Sequence, residues 1–563
     1  MDIINQTSHE LYNIILEALG QAVSAGKIPS EPIPPFSVEI PADSSNGDFS
    51  TNVAMVSAKA LKMPPRKIAE IIKEEMNVET AFINDVEIAR PGFINFFANA
   101  NWFSNVVRDV LNKEENYGKS EYGDGKKVLV EFVSANPTGP MHIGNARGGA
   151  MGDALVEVLN WSGYSAKREF YVNDAGNQID KFGISLNARY LQLIYGEDKV
   201  EFPENGYQGA DIIEHVKNFY EIHGDKYKDC EETQRINALT DYALPLNITA
   251  LKTDLQKYRI DYDIWFKEST LHMNSEVARI ISLLKEKGVT YEKDGALWLK
   301  AAEYGCDQDF VLIRSNGLPT YIVPDIAYHY NKLEVRKFDK AINIWGADHH
   351  GYLPRLKASL KALGIDPTRL DIILMQMVRL IRDGEPVKVS KRTGKSITLN
   401  TLLDEVPIDA ARFFFNAREA NTHMDFDLNL AVEQSNKNPV YYVQYAHARI
   451  SKILQKSELQ DELNNSQDDS FLDLLETEYE RELIRKIALL PMEIINAAKA
   501  YDPSRLTRYV TDVATAYHKF YDKCRVLGEE KNLSSARIML CAATKNVIKN
   551  VLTILKIDSP ENM

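Results

Sequence analysis

Two stretches hold side chains able to do phosphate chemistry. The first is His142-Ile143-Gly144-Asn145, set between an apolar run and a small-residue segment. The second is Lys388-Val389-Ser390-Lys391-Arg392, in a turn-rich loop bounded by Gly384 and Gly394. An imidazole at a glycine turn that opens a helix sits where free backbone N–H groups and the helix dipole converge, a ready anion site. Lysine ammonium groups are compact point charges suited to phosphate oxygens, and a loop can close them on charge that builds up on a leaving pyrophosphate. Either stretch alone arises often by chance. Their order is more specific, because the turn follows the first sheet strand and the loop follows the last.

The elements that must position these groups are legible around them. Val128, Leu129, Val130, Phe132 and Val133 have the composition of a strand buried on both faces of a parallel sheet, and Ala146 to Leu159 reads as the helix after it. Lys167 to Val172 is a second strand, ending in Asn173-Asp174-Ala175-Gly176 before another helix. This order predicts a doubly wound α/β sheet, whose ligands bind at the carboxyl ends of the strands. Residues 191–256 read as a polar, irregular insertion. The α/β pattern resumes at Ala296 to Ile313 and at Tyr321 to Val323, then at Lys340 to Trp345 and Leu370 to Met377.

On either side stand two further units. Residues 1–112 read as a small α+β domain, with strands at Phe36–Ile40, Val86–Ala89 and Gly92–Phe97, and with Asn52 or Thr51 as a helix N-cap. Asn112 to Lys127 reads as a polar linker. Residues 113–398 form the α/β unit, and from 399 to 563 the long segments have helical periodicity, a bundle. Apolar content of 44% and charged content of 26% are those of an ordinary globular protein, and no apolar run approaches the ~20 residues of a membrane span. The expectation is a cytoplasmic monomer. Cys230, Cys306, Cys524 and Cys541 are scattered without a CxxC pair, against a disulfide framework or a zinc site. The net charge of −14 disfavours a polyanion partner, yet from Arg481 onward 14 Lys and Arg face 9 Asp and Glu, so the C-terminal segment runs against the total.

The two stretches, HIGN and KVSKR, resemble the signatures HIGH and KMSKS of the class I aminoacyl-tRNA synthetases, with Asn145 in place of the second histidine. Within that class the whole chain looks like an arginyl-tRNA synthetase. The resemblance rests on VEFVSANPTGPMHIGNARGG, YVNDAGNQI (171–179), WFKES (265–269), YIVPDIAYH (321–329), GADHHGY (346–352) and NPVYYVQYAHARI (438–450).

It implies a Rossmann-like catalytic domain that takes ATP, with Mg2+ as part of the substrate complex and no zinc, together with L-arginine and a tRNA. His142, Asn145, Lys388, Ser390 and Lys391 are implied as catalytic. Pro140, Gly144, Gly346, Asp348 and Val378 join them around ATP. A guanidinium is a rigid fork of five donors, so its pocket needs carboxylates and planar partners. By resemblance Glu268, Tyr321 and Asp325 meet the guanidinium, Glu131 and Asn136 meet the amino-acid head group, and Ser134 and His349 join them around arginine. The bland alternative for Glu131 is a strand carboxylate paired with a lysine. In the bundle, Tyr441, Tyr442, Gln444, Tyr445, His447 and Arg449 combine flat faces with donors, as single-stranded RNA loops require. In the N-terminal unit Asn52, Phe96 and Asn99 are candidates for a tRNA contact.

Other readings stay open on sequence alone: a different nucleotidyltransferase of this fold, another class I synthetase, or an inactive tRNA-binding paralogue. Asp348-His349-His350 also suits a metal phosphoesterase, but no Asp-x-Asp cluster in the first sheet segment supplies further ligands.

Overall fold

The computed structural model describes residues 2–387, 397–456 and 470–563, apart from the side chains of 348–350. Helix α1 (Ile3–Ser24) starts on Asp2, whose Oδ1 accepts from Asn5 N at 2.9 Å. It packs with α2 (Val53–Leu61) and α3 (Pro65–Glu75) on a four-stranded antiparallel sheet. The strands are β1 (Val38–Glu39), β2 (Phe49–Thr51), β3 (Ile83–Ala89) and β4 (Phe93–Ala98), in the order β1-β2-β4-β3. At α2 the hydroxyl of Thr51 accepts from Val53 N at 3.3 Å, and Asn52 makes no side-chain cap bond.

Helix α4 (Ala100–Lys113) carries the chain out of this unit, and the stretch after it is packed rather than a free linker. Tyr117 is 3% exposed and its hydroxyl donates to Ile487 O at 3.2 Å. A polar composition concealed one aromatic anchor, and burying a ring that size outweighs its polar neighbours.

The central sheet is parallel, with β5 (Lys127–Glu131), β6 (Ser165–Val172), β7 (Ile264–Lys267), β11 (Lys340–Gly346) and β12 (Leu370–Met375) in the order β12-β11-β5-β6-β7. Between β7 and β11 lies a separate antiparallel sheet of β8 (Thr290–Lys293), β9 (Ala296–Leu299) and β10 (Phe310–Ile313). The chain leaves β5 toward β6 on one side and later fills the other side with β11. The crevice outside the carboxyl ends of β5 and β11 is therefore the topological switch point, where ligands bind in such sheets.

Helix α5 (Ile143–Trp161) follows β5 and is almost entirely buried. Its small residues have a packing reason: a Cβ on Gly152 would stand 2.2 Å from Phe132 Cγ, and one on Gly149 2.9 Å from Ile260 Cδ1. The helix lies against its own strand because nothing larger fits there.

Three expectations change. Residues 191–256 are not irregular: α6 (Asn177–Tyr195), α7 (Ala210–His223) and α8 (Glu232–Lys257) share a core of Phe182, Leu186, Tyr190, Ile212, Val216 and Phe219. Tyr321–Val323 opens the helix Ile322–Tyr330 instead of forming a strand. Ile322, Val323, Ile326 and Ala327 bury one helical stripe, and a short β-branched run cannot distinguish the two states. Among the described residues the C-terminal region is helical except for β15 (Met424–Asp427), which pairs in parallel with β13 (Val378–Arg382). With β14 (Glu385–Pro386) these form a small sheet of their own, so in chain order the basic residues come after β14 and not directly after the last strand of the central sheet.

The bundle's longest apolar helix, Lys531–Ile554, has the length and composition of a membrane span but is buried among the others through residues such as Ile538, Leu540, Val547 and Val551.

Candidate active site

The chain bends sharply at the end of β5. Val133 has φ 67° and Ser134 φ 41°, left-handed values that are rare for a β-branched residue and cost of order 1–3 kcal/mol each. Hydrogen bonds hold the bend: Ser134 Oγ donates to Glu131 Oε1 at 3.1 Å and accepts from Tyr171 N at 3.1 Å. Ser134 thereby joins the ends of β5 and β6.

Glu131 is paired with a lysine. Lys332 Nζ, fully buried, lies 2.5 Å from Glu131 Oε2, 3.0 Å from Asn343 Oδ1 and 3.9 Å from Glu169 Oε1. Asn343 Nδ2 meets His329 Nε2 at 2.8 Å, and burial holds that imidazole well below its ordinary pKa. Glu169 is bound by Arg336 and by the Tyr328 hydroxyl at 2.6 Å. The floor of the site is thus a closed network in which both strand carboxylates have cationic partners. Lys332 carried no local sequence signal.

Above this floor stand two carboxylates with no Lys or Arg partner among the described residues. Glu268, at the end of β7, bonds the Tyr171 hydroxyl and has His272 Nε2 at 3.7 Å; burial raises its pKa. Asp325 accepts from the Tyr352 hydroxyl at 2.5 Å. Burial first, then the nearby charges of Glu131 and Glu268, push its carboxyl up to about 7, against the pull of Tyr352 and Lys332. Tyr321 stands four residues before Asp325 at the helix start, 68% exposed, a flat face at the mouth.

The turn carrying Glu268 is fixed by Asp174, which accepts from Ser269 N at 2.8 Å and Ser269 Oγ at 2.9 Å. Asn173 bridges to Asn136, their amides 3.1 Å apart, and with its nitrogen turned toward Glu268 reaches Oε2 at 2.8 Å. Glu131, Ser134, Asn136, Glu268 and Asp325 are therefore parts of one cluster. Tyr171 and Tyr352 belong to it as well, and sequence reasoning passed over them although both lie inside the quoted blocks.

On the other side of β5, His142 is exposed at the N-cap position of α5, after Pro140, with Gly144 and Asn145 in the first turn. Its segment is tied to residues beyond the basic loop: Ile143 N donates to Ile397 O at 3.2 Å and Leu399 N to Met141 O at 2.9 Å. Between this turn and the small sheet lies a mostly apolar cavity of about 600 Å³, lined by His142, Ile143, Val378, Leu380, His423 and Met424. A nucleotide base needs such apolar walls, and α5 opens toward it with no acidic residue in its first turn. Gly346 ends β11 at the same sheet edge. Lys388, Ser390 and Lys391 lie outside the described residues, as do the side chains of Asp348 and His349.

The candidates for RNA contact divide. Phe96 is 0% exposed, opposite Phe49 and Val86 in the sheet, so it is core and cannot touch a nucleic acid. Asn99 caps α4 by accepting from Trp102 N at 3.2 Å, and Asn52 accepts from Ser37 N at 3.1 Å, both structural uses. In the bundle, Gln444 Nε2 donates to Asp409 Oδ2 at 2.8 Å and Asp558 O at 2.9 Å, while His447 Nδ1 meets Pro560 O at 2.9 Å. Both are buried and pin the C-terminal tail, so they correct the expectation of base contact. Tyr441, Tyr442, Tyr445 and Arg449 alternate with them on the half-buried face of the helix Pro439–Lys456. Tyr441 and Tyr445 stack 6.3 Å apart, and the Arg449 guanidinium lies 3.7 Å over Tyr521.

Three family models match the chain in succession: the arginyl tRNA synthetase N terminal domain over residues 9–98, the class I (R) tRNA synthetase catalytic domain over 106–454, and the DALR anticodon binding domain over 443–563. The chain is 53% identical to the arginine–tRNA ligase of Caldanaerobacter subterraneus over 562 residues and 51% identical to that of Ruminiclostridium cellulolyticum over 562 residues, each alignment covering 100% of both chains. The Thermus thermophilus arginyl-tRNA synthetase structure, 20% identical, matches the fold with a TM-score of 0.74 over 97% of this chain and 99% of that one. With a catalytic-domain model spanning most of its length and full-length relatives above half identity, the chain belongs to the arginyl-tRNA synthetase family of class I tRNA synthetases.

Proposed function

We infer that the protein is an arginine–tRNA ligase: it activates L-arginine with ATP, releasing pyrophosphate, and passes the arginyl group to the terminal adenosine of its tRNA. The observation that carries the choice of amino acid is the pair Glu268 and Asp325, half-buried carboxylates without a Lys or Arg partner among the described residues, together with a cavity of nucleotide size at the His142 turn.

In the first step the arginine carboxylate attacks the α-phosphorus in line, so the protein supplies position and electrostatic stabilisation rather than a covalent intermediate. Glu268 and Asp325 take the guanidinium, with Tyr321 closing over it. Asn136, on the Asn173 bridge, takes the head group, while Glu131 and Ser134 hold the bend behind it. His142 and Asn145, with the first turn of α5, steady the α-phosphate as charge develops. Asn145 can donate a hydrogen bond but, unlike histidine, cannot be cationic. Val378 walls the base, Gly346 and Asp348 face the ribose, and Lys388, Ser390 and Lys391 hold the β- and γ-phosphates of ATP, which arrives with its Mg2+. His349 contacts arginine.

Tyr441, Tyr442, Tyr445 and Arg449 offer stacking faces to a single-stranded RNA loop, and the basic excess after Arg481 meets its phosphates. We further propose three units, 1–112, 113–398 and 399–563, in a cytoplasmic monomer.

The deciding experiment is pyrophosphate exchange into ATP with each amino acid in turn, with and without tRNA. Exchange with arginine alone, in the presence of tRNA, is expected. Exchange driven by lysine or glutamate refutes the pocket assignment, and none with any amino acid favours an inactive tRNA-binding paralogue.

A further inference from the structure

We propose that Arg147 is a positioning residue for the nucleotide, holding the two far walls of the ATP cavity at a fixed distance from the His142 turn. Arg147 lies one helical turn beyond His142 and Ile143 on α5 and is 0% exposed. Its Nη1 donates to Gln376 O at 2.8 Å and Thr422 O at 2.9 Å, and its Nη2 to Glu419 O at 2.8 Å. No carboxylate pairs with it among the described residues, Nε has no partner there, and burial lowers its pKa to about 10.

The three acceptors stand at the roots of the two strands that face His142 across the cavity. Gln376 precedes Met377 and Val378, where β13 begins. Glu419 and Thr422 precede His423 and Met424, where β15 begins. The two roots also bond each other, Gln376 N to Ala420 O at 2.9 Å, and the strands pair Val378 with Met424. One side chain thus joins the near wall to both far walls.

The chemistry explains why arginine stands here. Three carbonyls that diverge around a buried point need a fork with donors pointing several ways, which guanidinium supplies and an ammonium at a single atom does not. The arginine subsite stands apart from this clamp. Glu268 belongs to the end of β7 and Asp325 to the helix Ile322–Tyr330, neither of which Arg147 touches. Its loss therefore acts selectively on ATP.

The inference rests on the ligase reading, and its test separates the two. On the full chain, Arg147→Lys and Arg147→Met are titrated with Mg·ATP and, separately, with arginine by calorimetry, and both substrates are varied in the exchange assay. Removing the clamp takes the donor from the carbonyls of Gln376 and Thr422, while Glu419 O keeps Thr422 N and Oγ1, so Mg·ATP affinity should weaken about ten-fold or more and KM for ATP rise in step. Arginine affinity should stay within about two-fold, with Arg147→Lys falling between wild type and Arg147→Met. Should Arg147→Met fail to fold, Arg147→Lys carries the same selectivity test. Parallel loss of both affinities marks a merely structural residue and overturns the proposal, as does unchanged ATP binding in a folded variant. Failure of the wild-type protein to exchange with arginine would instead overturn the ligase reading, since ATP binding is read independently of turnover.

Discussion

Arginine affinity should change steeply with pH around neutrality, and Asp325 is the reason. In the free enzyme burial and the charges of Glu131 and Glu268 raise its carboxyl to about 7, while Tyr352 and Lys332 oppose them. A guanidinium stays charged throughout this range, so the binding-competent enzyme is the one with Asp325 ionised. The competent fraction is about one in eleven at pH 6, about one half at pH 7 and about ten in eleven at pH 8. Apparent affinity falls by that fraction, so the arginine Kd at pH 6 should be about ten-fold weaker than at pH 8. Titration calorimetry at fixed ionic strength reads this directly, and proton release on binding at pH 6 is a second signature. Asp325→Asn should flatten the profile and weaken binding at pH 8 by about ten-fold to over a hundred-fold, the value of a hydrogen bond to a charged group at roughly 1.5–3 kcal/mol. A flat wild-type profile refutes the reasoning. A slope that survives Asp325→Asn moves the titration to Glu268, whose pKa is raised as well.

The same displacement has a consequence for stability. A carboxyl raised on folding contributes stability that is fully present below its unfolded value near 3.8 and is lost as pH rises through about 7. Asp325→Asn should therefore stabilise the unliganded protein at pH 8, by at most about 4 kcal/mol, read from urea denaturation. Lys332→Met leaves Glu131 buried without its cation and should cost about 3–5 kcal/mol; adding Glu131→Gln should recover much of it, a double-mutant cycle that reports the pairing. Asp153, 0% exposed, binds Arg168 and Arg412 at 2.6 Å and Lys556 at 2.9 Å, so Asp153→Asn should destabilise by a similar amount. Phe96→Ala should cost about 3–5 kcal/mol in denaturation while leaving intrinsic tRNA affinity unchanged in the folded fraction; a specific loss of tRNA binding would return Phe96 to the surface. His142→Ala should slow adenylate formation in a single-turnover assay and leave tRNA affinity nearly intact.

What the sequence could disclose followed from how far each signal reaches along the chain. Strand β5, the glycine turn and α5 are local, and they stand where the apolar run and the small residues placed them. Residues such as Glu268 and Asp325 came only through whole-chain resemblance, because what makes them a pair is contact between the ends of β7 and the helix Ile322–Tyr330. Lys332 and Arg147 were invisible: a buried cation is identified by acceptors far away in sequence, 201 residues for Lys332 and Glu131. The aromatic row on the helix Pro439–Lys456 went half astray for a related reason. Donors at helical spacing look alike on paper, and only the tail lying along one face decides that Gln444 and His447 face inward. Phe96 was misplaced because the centre of β4 is covered on both faces, with Ile94, Asn95 and Phe96 all buried, so an aromatic there has no exposed side.

The partners of Glu131 sharpen how the site can be selective. Four carboxylates crowd the ends of β5, β6, β7 and the helix Ile322–Tyr330, a density no pocket could hold unless some were neutralised. Lys332 and Arg336 neutralise Glu131 and Glu169 from below. Two negative charges then remain, Glu268 and Asp325, and bound arginine brings two positive ones, its guanidinium and its α-ammonium. The free enzyme lowers the cost of that imbalance by keeping Asp325 partly protonated, which is what its raised pKa records. A lysine side chain would supply the same charge but a single donor centre, leaving one carboxylate poorly met, so discrimination rests on the geometry of the fork rather than on charge. It follows that Glu268→Gln and Asp325→Asn should differ in kind: each weakens arginine, but Asp325→Asn alone removes the proton that competes with it near neutrality.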